Sequence, residues 1–231
     1  MGLDKFLDLL ASNELFFSNA SQMSDQYEGV IPRRNEKYIL KELKNEGLEK
    51  DEAQFESQTR LNQANSLRAS TLLNCWTINQ HESYALWKIY LSGSKSGVAI
   101  KTTVSKLERA INNGNDPYDE DIFMSRVNYT NFIKDEPESR FNIITTKNKF
   151  YEYENELRLF IFNYPRSEGG TKTPYDISVG RRVRIDIDEL IDEIYLSPFT
   201  GQWFDKTLIE TIGKFNPELK KKIRNSEILD E

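Results

Sequence analysis

The chain has very little cysteine and histidine. Its 231 residues include a single cysteine, Cys75, and a single histidine, His81. One cysteine excludes an intrachain disulfide, so a reducing cytoplasm is the compartment we expect. One histidine leaves little support for a Ser-His-Asp triad or a histidine-rich metal centre. We expect Cys75, which lies in an apolar run, to be a core residue, and His81 to lie at the start of a helix.

The sequence also lacks a basic excess and long apolar runs. It has 31 Lys and Arg against 37 Asp and Glu, a formal net charge of −6. Nucleic-acid-binding proteins usually carry a basic excess, so this charge does not favour a nucleic acid partner. Without a run of about 18 apolar residues, the sequence predicts no membrane-spanning helix. No glycine-rich phosphate loop follows a strand pattern, which argues against a doubly wound parallel sheet.

Helix and strand patterns are both present, and they do not alternate strictly. This mixture predicts a single α+β domain over residues 1–231, with a mixed or mainly antiparallel sheet and surrounding helices. Residues 35–68 are rich in Glu, Lys, Gln and Leu, and they predict a polar helical insertion or lid. Further helices are predicted at 3–11, 82–91, 104–113, 136–150 and 201–215. Strands are predicted at 71–78, 98–102, 122–129, 154–162, 181–187 and 192–198.

The segment YEYENELRLF, residues 151–160, contains the most informative charge pattern. If 154–162 is a strand, one face carries Glu154, Glu156, Arg158, Phe160 and Phe162. Arg158 can then pair with Glu156, which leaves Glu154 for another partner above an apolar floor. Two interpretations remain open, an ordinary ion-paired strand face or carboxyl groups held for acid–base chemistry. Burial would raise a carboxyl pKa there, whereas Arg158 would lower it.

Two further groups of residues are candidates for a site. Asp25 and Glu28 could join Glu154 and Glu156 in an oxygen-only divalent metal site, or they could belong to a surface turn. Trp87 and Tyr90 share a helix face, which indicates either core packing or stacking on a base.

Several blocks resemble, in the same order, a bacterial family called domain of unknown function 2971. They are LFFSNASQMSDQYEG, CWT, ALWKIYLSGSKSGVAI, KNKFYEYENELRLFIF and DEIYLSP. The most specific block contains Lys147, Tyr151, Glu154, Glu156 and Arg158. The strand order of that family is similar to that of ADP-ribosyltransferase-type toxins, and this second, more distant resemblance implies roles for individual residues.

By that resemblance, Glu156 would hold the nicotinamide ribose and activate its anomeric carbon, and Glu154 would assist it. Arg158 and Lys147 would fix the geometry or contact phosphate. The remaining nucleotide-binding candidates are a hydroxyl residue on an earlier strand and aromatic residues that could stack on nicotinamide: Thr77, Tyr84, Trp87, Tyr90 and Tyr151.

Three hypotheses for function follow. The leading one is a cytoplasmic bacterial effector domain, in a phage-defence or toxin–antitoxin setting, that acts on NAD or a related nucleotide by ADP-ribosyl transfer or glycosidic-bond hydrolysis, with no metal assigned. The second is a metal-dependent phosphodiesterase or nuclease that uses Asp25, Glu28, Glu154 and Glu156. The third is a non-catalytic adaptor or sensor, in which the helices of 35–68 and the loop at 164–174 bind a protein partner or a second copy.

Overall fold

The computed structural model describes residues 1–23, 33–118, 120–131, 140–163 and 176–228. The helices are α1 (Leu3–Ser12), α2 (Arg33–Asn45), α3 (Lys50–Ala69), α4 (Tyr84–Leu91), α5 (Val104–Asn113), α6 (Arg140–Thr145), α7 (Ile187–Leu190), α8 (Gln202–Phe215) and α9 (Pro217–Lys220). Short 3-10 helices cover Ala20–Gln22 and Lys149–Glu154. The strands are β1 (Glu14–Asn19), β2 (Thr71–Thr77), β3 (Val98–Lys101), β4 (Phe123–Arg126), β5 (Asn128–Thr130), β6 (Thr146–Asn148), β7 (Glu156–Phe162), β8 (Gly180–Arg184), β9 (Glu193–Leu196) and β10 (Ile223–Arg224). The α+β class is confirmed.

The described residues group into two compact units. Those within 1–15, 79–119 and 182–231 form unit 1, and those within 16–78 and 120–181 form unit 2. Unit 1 contains a small sheet of order β10-β9-β3, in which β9 pairs antiparallel with β3 and parallel with β10. Within the described ranges, every helix is too short or too polar to cross a bilayer.

A mainly antiparallel sheet organises unit 2. Its order is β4-β7-β2-β1-β8, and β7 pairs antiparallel with both of its neighbours. On one face, Phe160 of β7 lies opposite Leu73 of β2 and Phe123 of β4, and the Phe160 and Phe123 rings stack 5.6 Å apart. Leu67 of α3 and Ile144 of α6 pack on the same cluster. Because side chains alternate along a strand, Arg158 shares this face with Phe160.

The polar segment 35–68 is helical, as predicted. α3 begins with a capping box, in which the side chains of Glu49 and Glu52 each accept a hydrogen bond from the other residue's backbone. Buried Ile39 and Leu43 of α2 pack against Ala53 of α3, so the two helices share a small apolar core of their own. A lid function for this segment stays a prediction.

The helix predicted over 136–150 is confirmed only in part, with 136–139 outside the described residues, and the predicted start of β7 at residue 154 was wrong. The described helix in that region covers only Arg140–Thr145, residues 146–148 form β6, and Glu154 ends a 3-10 helix. Asn148 accepts a hydrogen bond from the Phe150 backbone at the start of this 3-10 helix. Asn155 then ends it in the left-handed conformation, with φ of 43°, which asparagine tolerates better than most residues. Glu154 is therefore not on the strand that carries Glu156.

We expect Phe160 to stabilise unit 2 strongly. Its side chain is 1% exposed, so Phe160→Ala leaves a cavity in the cluster and should lower the free energy of unfolding by about 3–5 kcal/mol. Phe150→Ala is the matched control, since that ring is 76% exposed and its removal should change stability by less than about 0.5 kcal/mol. Urea unfolding of both variants measures the difference, and equal losses would contradict the assignment of the core.

Candidate active site

Four charged side chains form a network at the start of β7 in unit 2. Lys147 Nζ donates hydrogen bonds to Glu154 Oε2 at 2.7 Å and to Glu156 Oε1 at 2.5 Å. Arg158 Nε donates to Glu156 Oε2 at 2.9 Å, and Arg158 Nη1 donates to the Ile144 carbonyl oxygen at 2.5 Å. We call Lys147, Glu154, Glu156 and Arg158 the charged quartet. The predicted pairing of Arg158 with Glu156 is confirmed, and the other partner of Glu154 is Lys147.

The parallel pair β5–β6 positions one side of the quartet. It places Tyr129 opposite Lys147. The Tyr129 hydroxyl oxygen accepts a hydrogen bond from the Glu156 backbone N–H at 2.9 Å. The Val127 N–H donates to the Glu156 carbonyl oxygen at 3.0 Å. Both backbone polar groups of Glu156 are thus bonded, which fixes the point from which its carboxylate extends.

The end of β2 positions the other side of the charged quartet. The Thr77 hydroxyl donates to the Glu154 carbonyl oxygen at 2.7 Å, and the Ile78 N–H donates to the Asn155 carbonyl oxygen at 2.7 Å. The Asn155 side-chain amide donates in return to the Ile78 carbonyl oxygen. These bonds hold the turn between the 3-10 helix and β7 against β2. Thr77 therefore orients Glu154 through its backbone, and a direct role of Thr77 in ligand binding stays a prediction.

All four side chains of the quartet are largely buried, but to different degrees. The side chain of Arg158 is 0% exposed and that of Glu156 is 4% exposed, whereas Glu154 retains 13%. Buried charges are tolerated when they are paired and hydrogen-bonded, and here two cations meet two carboxyl groups. Glu154 is the most accessible member, so it is the one that a ligand could reach first.

The two carboxyl groups have different protonation behaviour. Burial raises the pKa of Glu154 to about 7, with a hydrogen bond to the Glu156 carboxyl group acting in the same direction and Lys147 opposing it. Burial also acts to raise the pKa of Glu156, but the hydrogen bond from Glu154 and the charges of Arg158 and Lys147 outweigh it and lower that pKa to about 2. Near neutral pH, Glu156 is an anion while Glu154 is poised between its two forms.

Tyrosine side chains surround the quartet. Lys147 Nζ lies 4.8 Å from the centroid of the Tyr151 ring, a cation–π arrangement. Tyr153 is half-exposed, and burial together with the neighbouring Glu154 raises its pKa. The sequence did not identify Tyr129 or Tyr153 as site residues. Tyr153 could have been found by its place beside Glu154, but nothing local to Tyr129 indicates the parallel pairing that brings it here.

The structure brings together one part of the predicted site. This part lies in unit 2 and consists of Thr77, Lys147, Tyr151, Glu154, Glu156 and Arg158. The predicted stacking residues of α4 belong to unit 1: Tyr84, Trp87 and Tyr90. Trp87 is 5% exposed, packs with Leu91 and Phe199, and donates a hydrogen bond to Glu82 at 3.0 Å. With these contacts, Trp87 is a core residue.

The remaining candidates are placed as follows. Asp25 and Glu28 lie outside the described residues, so the four-carboxylate metal site stays a prediction. In the described part of the chain, no cluster of three or more His, Cys, Asp or Glu side chains is placed to hold a metal ion. Cys75 packs against the apolar cluster, as predicted, and His81 is exposed before α4.

Comparison of the chain with protein-family models, curated proteins and solved structures found no match in any of the three. The resemblance to domain of unknown function 2971 therefore stays a prediction.

We expect loss of Lys147 to destabilise the protein in a pH-dependent way. Lys147→Met leaves Glu154 and Glu156 without their shared cation, and breaking a buried ion pair typically costs about 3–5 kcal/mol. The loss should be larger at pH 8, where Glu154 is ionised, than at pH 5, where it is protonated. The control is Lys101→Met, which removes an exposed pair with Glu193 and should have little effect at either pH. Urea unfolding at both pH values measures the effect, and a pH-independent loss would contradict it.

We also expect Glu154 to make stability fall as pH rises. Because its folded pKa of about 7 lies above the ordinary 4.5, the folded state binds more protons between these values. The stabilisation is complete below pH 4.5 and is lost by about pH 7; Glu156 has the opposite effect, but only below pH 4.5. Glu154→Gln should flatten the decrease in Tm between pH 5 and about 7.5. Glu152→Gln, an exposed change on the same 3-10 helix, should keep the wild-type slope, and identical slopes for both variants would refute the assignment.

Proposed function

We propose that the chain is an enzyme that cleaves the N-glycosidic bond of NAD or a related nucleotide, and transfers the ADP-ribosyl group to water or to another acceptor. The observation that carries the proposal is the pair of Glu154 and Glu156, whose carboxyl groups accept hydrogen bonds from the same Lys147 Nζ at 2.7 and 2.5 Å. The pKa values of the two carboxyl groups are driven apart, and the more accessible one titrates near 7. Pairs with this property are typical of acid–base chemistry. The choice of nucleotide, and the setting in bacterial phage defence or a toxin–antitoxin system, rest on the resemblance alone.

The reaction with water places clear demands on such a site. The bond between C1′ and the nicotinamide nitrogen breaks, and its electron pair leaves with the nitrogen, which becomes neutral. The ribosyl group is left as an oxocarbenium ion, which a nearby negative charge stabilises. The oxygen of water then bonds to C1′ while its proton passes to a general base. The products are nicotinamide, ADP-ribose and one proton, and a carboxylate that titrates near 7 suits the base.

The geometry supports Glu154 as that base. The sequence favoured Glu156 as the main catalytic residue, with Glu154 as its helper. Yet each oxygen of Glu156 already accepts a hydrogen bond, one from Lys147 and one from Arg158, and the side chain is 4% exposed. Glu154 is both more accessible and able to change its protonation near neutral pH. In this assignment Glu156, Lys147 and Arg158 are positioning residues.

Exposed aromatic rings next to Glu154 support a nucleotide as the ligand. Phe150 and Tyr153 lie on the 3-10 helix that Glu154 ends, and their exposed fractions are 76% and 50%. Exposed aromatic rings can stack on the flat face of a base or of nicotinamide. A site for a simple sugar phosphate would have less use for such surfaces.

We expect Glu154→Gln to lower the rate of nicotinamide release from NAD by about 10²- to 10⁴-fold, because the variant cannot accept a proton. In the wild type, kcat/KM should rise with pH through about 7, since the base must be ionised. Glu152→Gln serves as the control with an unchanged rate. The assay is chromatographic measurement of nicotinamide. Undiminished release by Glu154→Gln, or the absence of release by the wild type, would refute the proposed function.

A further inference from the structure

Tyr129 lies beside the charged quartet without belonging to it. The parallel register of β5 and β6 sets it opposite Lys147, and its hydroxyl group is 2.9 Å from the backbone nitrogen of Glu156. Its pKa is raised, first by burial and also by the negative charges of Glu156 and Glu154. The hydroxyl group therefore stays protonated across the physiological range, and it contacts the backbone of the residue whose carboxylate bonds to Lys147.

The hydrogen bonds of this hydroxyl group are only partly used. A tyrosine hydroxyl can accept hydrogen bonds and donate one. Among the residues that the structure describes, the Tyr129 hydroxyl accepts the bond from Glu156 and donates none. Tyr129 is also only partly buried, as a residue that meets a ligand from solvent must be. Tyr129 thus adds a donor beside Glu156, and Lys147 joins Glu156 to the second carboxyl group, that of Glu154.

This arrangement selects the part of a nucleotide that can bind here. A phosphate needs cations that can bond to it, and both cations of the quartet already bond to carboxyl groups. A ribose attached to a pyridinium ring matches the quartet better than a phosphate does. The pyridinium ring carries a positive charge, and the ribose hydroxyl groups offer both acceptor oxygens and donor hydrogens. The cations Lys147 and Arg158 are engaged by the carboxylates, which leaves Tyr129 to supply the donor.

We propose that the Tyr129 hydroxyl group binds the ligand directly, by donating a hydrogen bond to one hydroxyl oxygen of the nicotinamide ribose. This proposal rests on the proposed function, because it takes NAD or a close relative as the ligand. It assigns Tyr129 a second role besides holding the backbone of Glu156, and it makes the site selective for a ribose with that hydroxyl group present.

A thermodynamic cycle tests this hydrogen bond. The probes are NAD and its analogues that lack the 2′- or the 3′-hydroxyl group of the nicotinamide ribose. Binding is measured by calorimetry on the 231-residue chain carrying Glu154→Gln, so that the ligand is not consumed, with and without Tyr129→Phe. Tyr195→Phe is the matched control, because it removes a hydroxyl group that donates to Glu193 in unit 1.

The expected result is coupling between Tyr129 and one of the two ribose hydroxyl groups. Removal of either partner should weaken binding by about tenfold, and removal of both should weaken it no further. Tyr195→Phe should change no affinity. Purely structural damage by Tyr129→Phe would instead weaken all three ligands by the same factor, and that outcome overturns the proposal. Unchanged affinity in Tyr129→Phe, or no binding of NAD, overturns it as well.

The binding measurements and the nicotinamide assay together distinguish a failure of the Tyr129 proposal from a failure of the proposed function. Coupling in the binding measurements, without nicotinamide release by the wild type, would refute the enzymatic activity and leave the role of Tyr129 intact. Glu154-dependent release of nicotinamide, without coupling, would refute the role of Tyr129 and leave the activity intact.

Discussion

The buried charge of Arg158 is the constraint on which the surroundings of β7 depend. A guanidinium group with no exposed surface is stable only if its hydrogen bonds and its charge are compensated inside the protein. Glu156 supplies the charge, and the Ile144 carbonyl oxygen at the end of α6 accepts another hydrogen bond. Compensating Arg158 therefore ties the end of α6 to β7. It also buries Glu156, which then needs the second cation, Lys147.

The division of protons between the two glutamates follows from this constraint. Two cations bond to Glu156 and keep it ionised, whereas one cation of the quartet, Lys147, bonds to Glu154. Two carboxylates so close together are not both ionised without cost, and the proton goes to the one with less compensation. The residue that fills the role of acid or base is thus chosen by the number of cations around it, and not by its place in the Glu-x-Glu pattern.

The sequence allowed part of this site to be predicted. Alternation along a strand was sufficient to pair Arg158 with Glu156 and to place Phe160 on the same face, although Phe160 belongs to the core cluster and was predicted as the apolar floor of a site. It was not sufficient for Glu154, because the left-handed turn at Asn155 interrupts the strand pattern and is stabilised by contacts with Ile78, far along the chain. Tyr129 was missed for a similar reason. A three-residue parallel pair leaves no periodic signal, so only tertiary packing identifies its partner.

The charged quartet lowers the stability of the folded protein below what apolar residues could give, and this supports a chemical role for it. Replacing buried ion pairs with apolar residues of similar volume is often neutral or stabilising, so stability alone does not require four charged groups here. Glu154 lowers the stability of the folded state, because its raised pKa makes that state less stable as pH rises towards 7. Features that reduce stability cluster at sites where a protein binds or reacts with a ligand. An accessible carboxyl group that is held in an unfavourable ionisation state fits this rule, whereas the fully compensated Glu156 does not.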